Sequence, residues 1–147
     1  SADCNVILLH DPVHRAIAAV HAGWRGTALG IAAKAVQEMH AQFGSDPADI
    51  CAAIGPAIGK CCFETDDDVP QALRQALGDS VEPYMTKNGA KWHIDLKAVN
   101  ALWLRREGLT RIDVSDLCTM CRTDLFWSHR KMGDARGVQA AVICLED

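Results

Sequence analysis

Cys4 and His21 are the first residues whose types and spacing could do chemistry. "CNVILL" (4–9) and "RAIAAVH" (15–21) are apolar runs bounded by turn residues, with Asp11-Pro12 between them. They read as the two strands of a hairpin. Cys4 then opens one strand and His21 closes the other, so antiparallel pairing brings the two together. A thiol and an imidazole so placed suit Zn²⁺, or a nucleophile (Cys4) with its base (His21). They also suit two unrelated residues, because cysteine is commonly buried as a small hydrophobe. Spacing alone favours that plainer reading.

Four further stretches carry reactive residue types. In "GWRG" (23–26), Gly23 and Gly26 fall between a strand and a helix. There, backbone N–H groups can face an anion, and Arg25 can bind phosphate or carboxylate bidentately; the alternative is a plain turn with a surface arginine. "GPAIGKCC" (55–62) is a second glycine-rich loop, where Cys61 and Cys62 either line a substrate site or pack in a tight loop. "CTMC" (118–121) is half of a zinc knuckle with no second CxxC pair, and reads as structural more readily than catalytic. "FWSHR" (126–130) brings Ser128, His129 and Arg130 after two aromatics. Read as a strand, it points adjacent residues to opposite faces, which weakens any Ser–His pairing. His10, His14, His40 and His93 carry no such pattern.

The elements that must position these residues follow from periodicity. Residues 27–44 have helical spacing, with Leu29, Ala32, Ala33, Val36, Met39 and Phe43 on one face, Thr27 as N-cap and Gly44 just past the end. Residues 49–55 read as a strand and 67–78 as a helix with an acidic start. Residues 91–96 read as a short strand leading into a helix over 95–108. "RIDVSD", "DLFWSHR" and "VQAAVICLE" (138–146) read as further strands. No repeat, low-complexity segment or linker divides the chain. Hairpins mixed with crossover helices imply one layered α/β or α+β domain over 1–147.

The 147 residues suffice for a sizeable core. With 49% apolar and 23% charged residues the chain is globular rather than disordered. A net charge of −4 with scattered Lys and Arg argues against nucleic acid or an anionic membrane as partner. No run approaches the ~20 apolar residues of a membrane span, and no basic-then-apolar leader opens the chain. Seven cysteines, an odd number with two adjacent, fit reduced thiols in the cytoplasm better than a secreted disulfide framework. The chain starts on Ser1 and enters an apolar strand by residue 4, so a preceding segment is expected.

"ADC" before an apolar strand, "DP", "AAVHAGWRGT", "AAIGPAIGKCCFE", "DL…N", "CTMC" and "FWSHR" occur here in the order of the laccase-domain family. Members of that family are called multi-copper polyphenol oxidoreductases or purine nucleoside phosphorylases, and the resemblance covers essentially the whole chain. It implies a layered mixed α/β sandwich with mixed sheets, related to cysteine hydrolases and to the catalytic domain of cytotoxic necrotizing factor. It implies a zinc held by one cysteine and two histidines. Cys4 and His21 match two of these ligands; the third belongs to a "QVHG"-like motif upstream of "ADC".

The implied activities are phosphorolysis of adenosine, inosine and methylthioadenosine, and deamination of adenosine. A purine nucleoside and phosphate are the implied partners. Cys4, His21 and Arg25 would be catalytic, and Gly23, Arg25, Gly26, Cys61, Cys62 and Arg130 would bind phosphate or substrate. Val6, Ala57 and His129 depart from the family's usual proline, cysteine and tyrosine. A copper-dependent polyphenol oxidase and a Cys–His hydrolase are the alternatives, as is a fragment that is inactive alone. The six histidines include no HxH pair, the motif that multicopper oxidases use, although copper can occupy Cys/His ligands.

Overall fold

A computed structural model describes residues 1–146. The first two apolar runs form strands β1 (Asn5–Asp11) and β2 (Ala16–Ala22), paired antiparallel with Val6 opposite His21. β1 alternates strictly, burying Asn5, Ile7, Leu9 and Asp11 and leaving the residues between them half-buried. That period of two assigns one face to the core. Asp11 closes the hairpin by accepting hydrogen bonds from the Val13 and His14 N–H groups at 2.8 and 3.2 Å and from the His14 ring at 2.8 Å.

The expected helix over 27–44 is broken in two. α1 (Trp24–Ala28) is one short turn, and α2 (Ile31–Phe43) starts after Gly30, whose φ of 71° lies in the left-handed region. Thr27 therefore does not cap the long helix. Its buried hydroxyl accepts a hydrogen bond from Asn100 Nδ2 at 3.0 Å, and its carbonyl accepts one from Trp103 Nε1 at 2.8 Å. Gly44, with φ 74°, ends α2 as expected. Ala32, Ala33, Val36 and Met39 face the core, whereas Leu29 and Phe43 are exposed at either end.

The remaining elements are β3 (Cys51–Ile54), β4 (Glu64–Thr65), α3 (Asp68–Leu77), a 3₁₀ stretch (Gly78–Tyr84), β5 (Met85–Asn88), β6 (Lys91–Ile94), α4 (Leu96–Arg106), β7 (Arg111–Val114), α5 (His129–Met132) and a second 3₁₀ turn (Gly133–Ala135). Asp95 caps α4 by accepting from the Ala98 N–H at 3.0 Å. Two sheets result, ordered β2-β1-β3-β7 and β4-β6-β5. The first is mixed: β1 is antiparallel to both neighbours and β3 runs parallel to β7. Its buried face packs on α2 and α4 around Ile7, Leu9, Met39, Ile54 and Leu104. A second core, centred on Leu73, Val81, Ile94 and Val99, lies under α3 and α4. This is the α+β class with mixed sheets that the sequence implies.

Two expected strands are absent among the described residues. "DLFWSHR" forms turns and then α5, with Ser128 as N-cap accepting from the Lys131 N–H at 3.2 Å. Its Ser–His pair thus begins a helix instead of alternating along a strand. Residues 138–146 make no ladder: Gln139 exchanges two backbone hydrogen bonds with Ser1, and residues 138–141 border a cleft with Val6, Ala19 and His21. This segment therefore lies over the outward face of the hairpin instead of adding a strand.

Candidate active site

The site grows from the residue before Cys4. Asp3 is buried and has φ 78°, a conformation that aspartate tolerates better than most residues. Its Oδ1 accepts from Thr119 Oγ1 at 2.6 Å. Its Oδ2 accepts from Ser128 Oγ at 3.0 Å and from the Arg130 N–H at 2.7 Å. Its carbonyl accepts from the Ile58 N–H at 2.9 Å. One residue thus ties the start of β1 to the loop after β3, to the CxxC turn and to α5. A carboxylate receiving this many hydrogen bonds satisfies a buried charge.

Those ties converge on a pocket of about 190 Å³ bordered by Asp3, Cys4, Gly23, Trp24, His129 and Arg130. Ile58, Phe63 and Leu96 give it an apolar floor. Cys4 is half-buried; burial, and then the charge of Asp3, push its thiol up. A Cβ on Gly23 would come within 3.3 Å of Cys4 Sγ, so glycine keeps the space beside the thiol open. His129 Nδ1 accepts from Arg136 Nε at 3.0 Å, which leaves Nε2 to carry the proton of the neutral ring.

His21 lies one strand over. Its pairing with Val6 puts both side chains on the outward face of the hairpin. Val6 borders one cleft with Cys4 and another with His21, so the thiol and imidazole flank the same side chain. The donor set fits part of a zinc site: a soft thiolate and a borderline imidazole suit two tetrahedral positions, and a closed or catalytic zinc needs a third protein ligand.

Arg25 is exposed and stacks on Trp24, its guanidinium carbon 4.2 Å from the ring centroid. Gly26 sits behind it in α1, where a Cβ would approach the His21 carbonyl at 3.9 Å. With only five residues, α1 has little macrodipole to offer an anion. Arg130 reaches the pocket from the far side, donating Nη1–H to the Glu64 carbonyl at 2.8 Å while its guanidinium carbon sits 5.6 Å from the Phe63 ring centroid. The structure therefore brings Cys4, Gly23 and Arg130 together, with His21 and Arg25 on the flank.

Cys61 and Cys62 lie elsewhere, in a cluster with Cys118 and Cys121 whose sulfurs are all within 4.8 Å of one another. This is a group of four ligands able to hold a metal. Burial opposes ionisation of Cys118, but the N–H groups of Gly59 and Cys121 and the neighbouring thiols hold it down at about 7. Burial pushes Cys62 well above the usual thiol range. Sequence reasoning passed over Asp3, Thr119 and the grouping of the four cysteines. The signal for Asp3 was faint: an acidic residue immediately ahead of an apolar strand.

The model of the family described as multi-copper polyphenol oxidoreductase laccase matches residues 1–146. A purine nucleoside phosphorylase, YlmD, of Geobacillus stearothermophilus is 40% identical over 145 residues, covering 97% of this chain and 53% of that protein. An adenosine deaminase, RL5, from an unknown prokaryotic organism is 39% identical over 140 residues, covering 90% and 52%. The crystal structure of Bacillus licheniformis hypothetical protein YfiH superposes with a TM-score of 0.86 at 42% identity, over 89% of this chain and 50% of that one. The chain spans about half the length of the curated relatives it matches.

Proposed function

We propose, since this chain belongs to the multi-copper polyphenol oxidoreductase laccase family, that it forms half of a zinc-dependent purine nucleoside phosphorylase. Its substrates are adenosine, inosine and methylthioadenosine, with phosphate as co-substrate, and it also deaminates adenosine. The observation that carries this reading is the convergence of Cys4, His129 and Arg130 on one pocket held by the Asp3 carboxylate. Relatives named for both activities support it. Phenol oxidation by copper draws support from the family name alone.

Cys4 and His21 would hold the zinc together with a third histidine from an upstream motif. When bound, zinc supplies a Lewis acid that brings the pKa of water toward ~7. The chain's own residues do the rest. Phe63, Ile58 and Leu96 receive the apolar face of the base and keep water out. Arg130, with Arg25 at the rim, holds the phosphate dianion, while Gly23 and Gly26 let it approach the backbone. A phosphate oxygen then bonds to C1′ of the ribose as the C1′–N9 bond breaks. The base leaves with its electron pair and takes a proton, for which His129 Nε2–H is placed at the pocket edge. In deamination, water adds its oxygen at C6 of adenosine and ammonia departs. The same reading puts the protein in the cytoplasm, because seven cysteines suit a reducing compartment.

The test is an adenosine-plus-phosphate assay on the full protein that carries this chain, with adenine, ribose 1-phosphate and inosine quantified. Phosphate-dependent release of adenine that Cys4→Ser and His21→Ala abolish supports the reading. Phosphate-independent turnover of other substrates, or activity unaffected by both substitutions, rejects it.

A further inference from the structure

We propose that Cys61, Cys62, Cys118 and Cys121 bind a structural Zn²⁺ as a four-thiolate site separate from the pocket at Cys4. A tetrahedral zinc with Zn–S near ~2.3 Å sets its sulfurs about 3.8 Å apart. Here Cys61 and Cys121 are 3.7 Å apart, Cys62 and Cys121 are 3.4 Å apart, and all four sulfurs fall within 4.8 Å. These separations exceed the S–S bond of a disulfide, about 2.05 Å, and all seven cysteines are free. Four thiols with no oxygen ligand among them select a soft metal, and closed tetrahedral thiolate sites are typical of structural zinc.

The surroundings are built for such an ion. The Gly59 N–H donates to Cys118 Sγ at 3.2 Å, the kind of outer hydrogen bond that orients a thiolate ligand. A Cβ on Gly59 would sit 3.3 Å from Cys61 Sγ and 3.2 Å from Cys118 Cβ, so only glycine leaves the cradle unfilled. Four thiolates and Zn²⁺ carry two net negative charges. Lys97 is buried, donating to the Leu117 carbonyl at 2.9 Å, and it borders the same cleft as Lys60, Cys61 and Cys118, so that cleft carries two side chains of the opposite charge.

The fold explains why two short motifs 60 residues apart become one site. β3 and β7 are parallel neighbours, so the loops that leave them emerge at the same end of the sheet. The bridge between Ala57 and Cys118, with the Thr119 N–H donating to the Ala57 carbonyl at 3.1 Å, locks those loops together. Thr119, between the two cysteines of CxxC, donates to Asp3 Oδ1 at 2.6 Å. Zinc at the four thiols therefore clamps the turn that braces the pocket. The inference does not depend on the proposed activity.

The experiment uses the full protein carrying Cys4→Ser and His21→Ala, so that zinc at the first site does not contribute. Zinc is counted by elemental analysis, and the zinc-free protein is titrated with Co²⁺. About one zinc per chain, and the intense visible bands of tetrahedral thiolate cobalt, are expected. Adding Cys121→Ser or Cys62→Ser should abolish both signals. Cys121→His should keep the metal and shift the cobalt bands to higher energy, which separates ligation from misfolding. Lack of thiolate-cobalt bands in the double variant overturns the proposal, as does metal content untouched by Cys121→Ser. An iron–sulfur chromophore, or stable Cys61–Cys121 or Cys62–Cys121 disulfides in reduced preparations, also overturns it.

Discussion

The hydroxyl of Ser128 donates to the carboxylate of Asp3 at 3.0 Å, across 125 residues of chain. It joins the residue that precedes β1 to the cap of α5. Replacing Asp3 by alanine leaves Ser128 Oγ–H, Thr119 Oγ1–H and the Arg130 N–H without their acceptor. Charge-assisted hydrogen bonds of this kind give an expected loss of about 3 kcal/mol in urea unfolding. Asp3→Asn keeps the shape and should lose less. Equal losses for both would assign the whole effect to the charge; an unchanged stability in Asp3→Asn would mean that the charge is immaterial.

Gly23→Ala should separate site from fold. The backbone there has φ −68° and ψ 172°, which alanine adopts freely. Stability should therefore stay within about 1 kcal/mol of the parent. The added Cβ meets Cys4 Sγ at 3.3 Å, so metal affinity at Cys4 and nucleoside turnover should fall. Retained turnover at unchanged stability would show that the space beside the thiol is not used.

Arg130 should govern phosphate more than nucleoside. Arg130→Lys keeps the charge and loses the planar fork. The KM for phosphate is expected to rise roughly tenfold, equivalent to about 1.4 kcal/mol, with the KM for adenosine little changed. A matched rise in both constants would place Arg130 in general pocket support instead.

The hairpin carries its own acid sensitivity. Burial opposes ionisation of Asp11, but the nearby Ser45 hydroxyl and the hydrogen bonds from the His14 N–H and ring and from the Val13 N–H bring its pKa to about 2, against an ordinary 3.8. A carboxylate lowered in the folded state stabilises above its unfolded value. That stabilisation should fade as pH falls from about 4 toward 2. The melting temperature of Asp11→Asn should change less steeply across that window than the parent's. Parallel curves would assign the acid loss to other groups.

Much of the frame could be read from local pattern. The alternation of β1, the Asp11-Pro12 turn, Gly44 after α2 and Asp95 before α4 are signals contained within a few residues, and the structure follows them. What the sequence hid depends on contacts between distant segments. Thr27 has the chemistry of an N-cap, yet Asn100 and Trp103 claim it, and α2 begins four residues later at Ile31. "VQAAVICLE" has the composition of a strand, but its residues 138–141 lie over the outward face of the hairpin beside Val6, Ala19 and His21. "CTMC" looks like half a motif because its other half is "CC", delivered by the parallel pairing of β3 with β7. The hairpin brings Cys4 and His21 near each other, but spacing alone favours two unrelated residues; the Asp3 clamp leaves no local sign, because Thr119 and Ser128 lie more than a hundred residues away.

That clamp has a bearing on when the pocket can exist during synthesis. The β1–β2 hairpin and α2 can form as soon as they emerge, since their contacts are close in sequence. The pocket cannot, because Asp3 must wait for Thr119, Ser128 and Arg130. On a ribosome adding about 5–20 residues per second, Cys4 spends several seconds beside a half-built wall. Its thiol and those of Cys61 and Cys62 are then open to oxidation or to stray metal. Assembly of the site is thus the last act of folding, and a nascent chain can hold its scaffold without yet holding its chemistry.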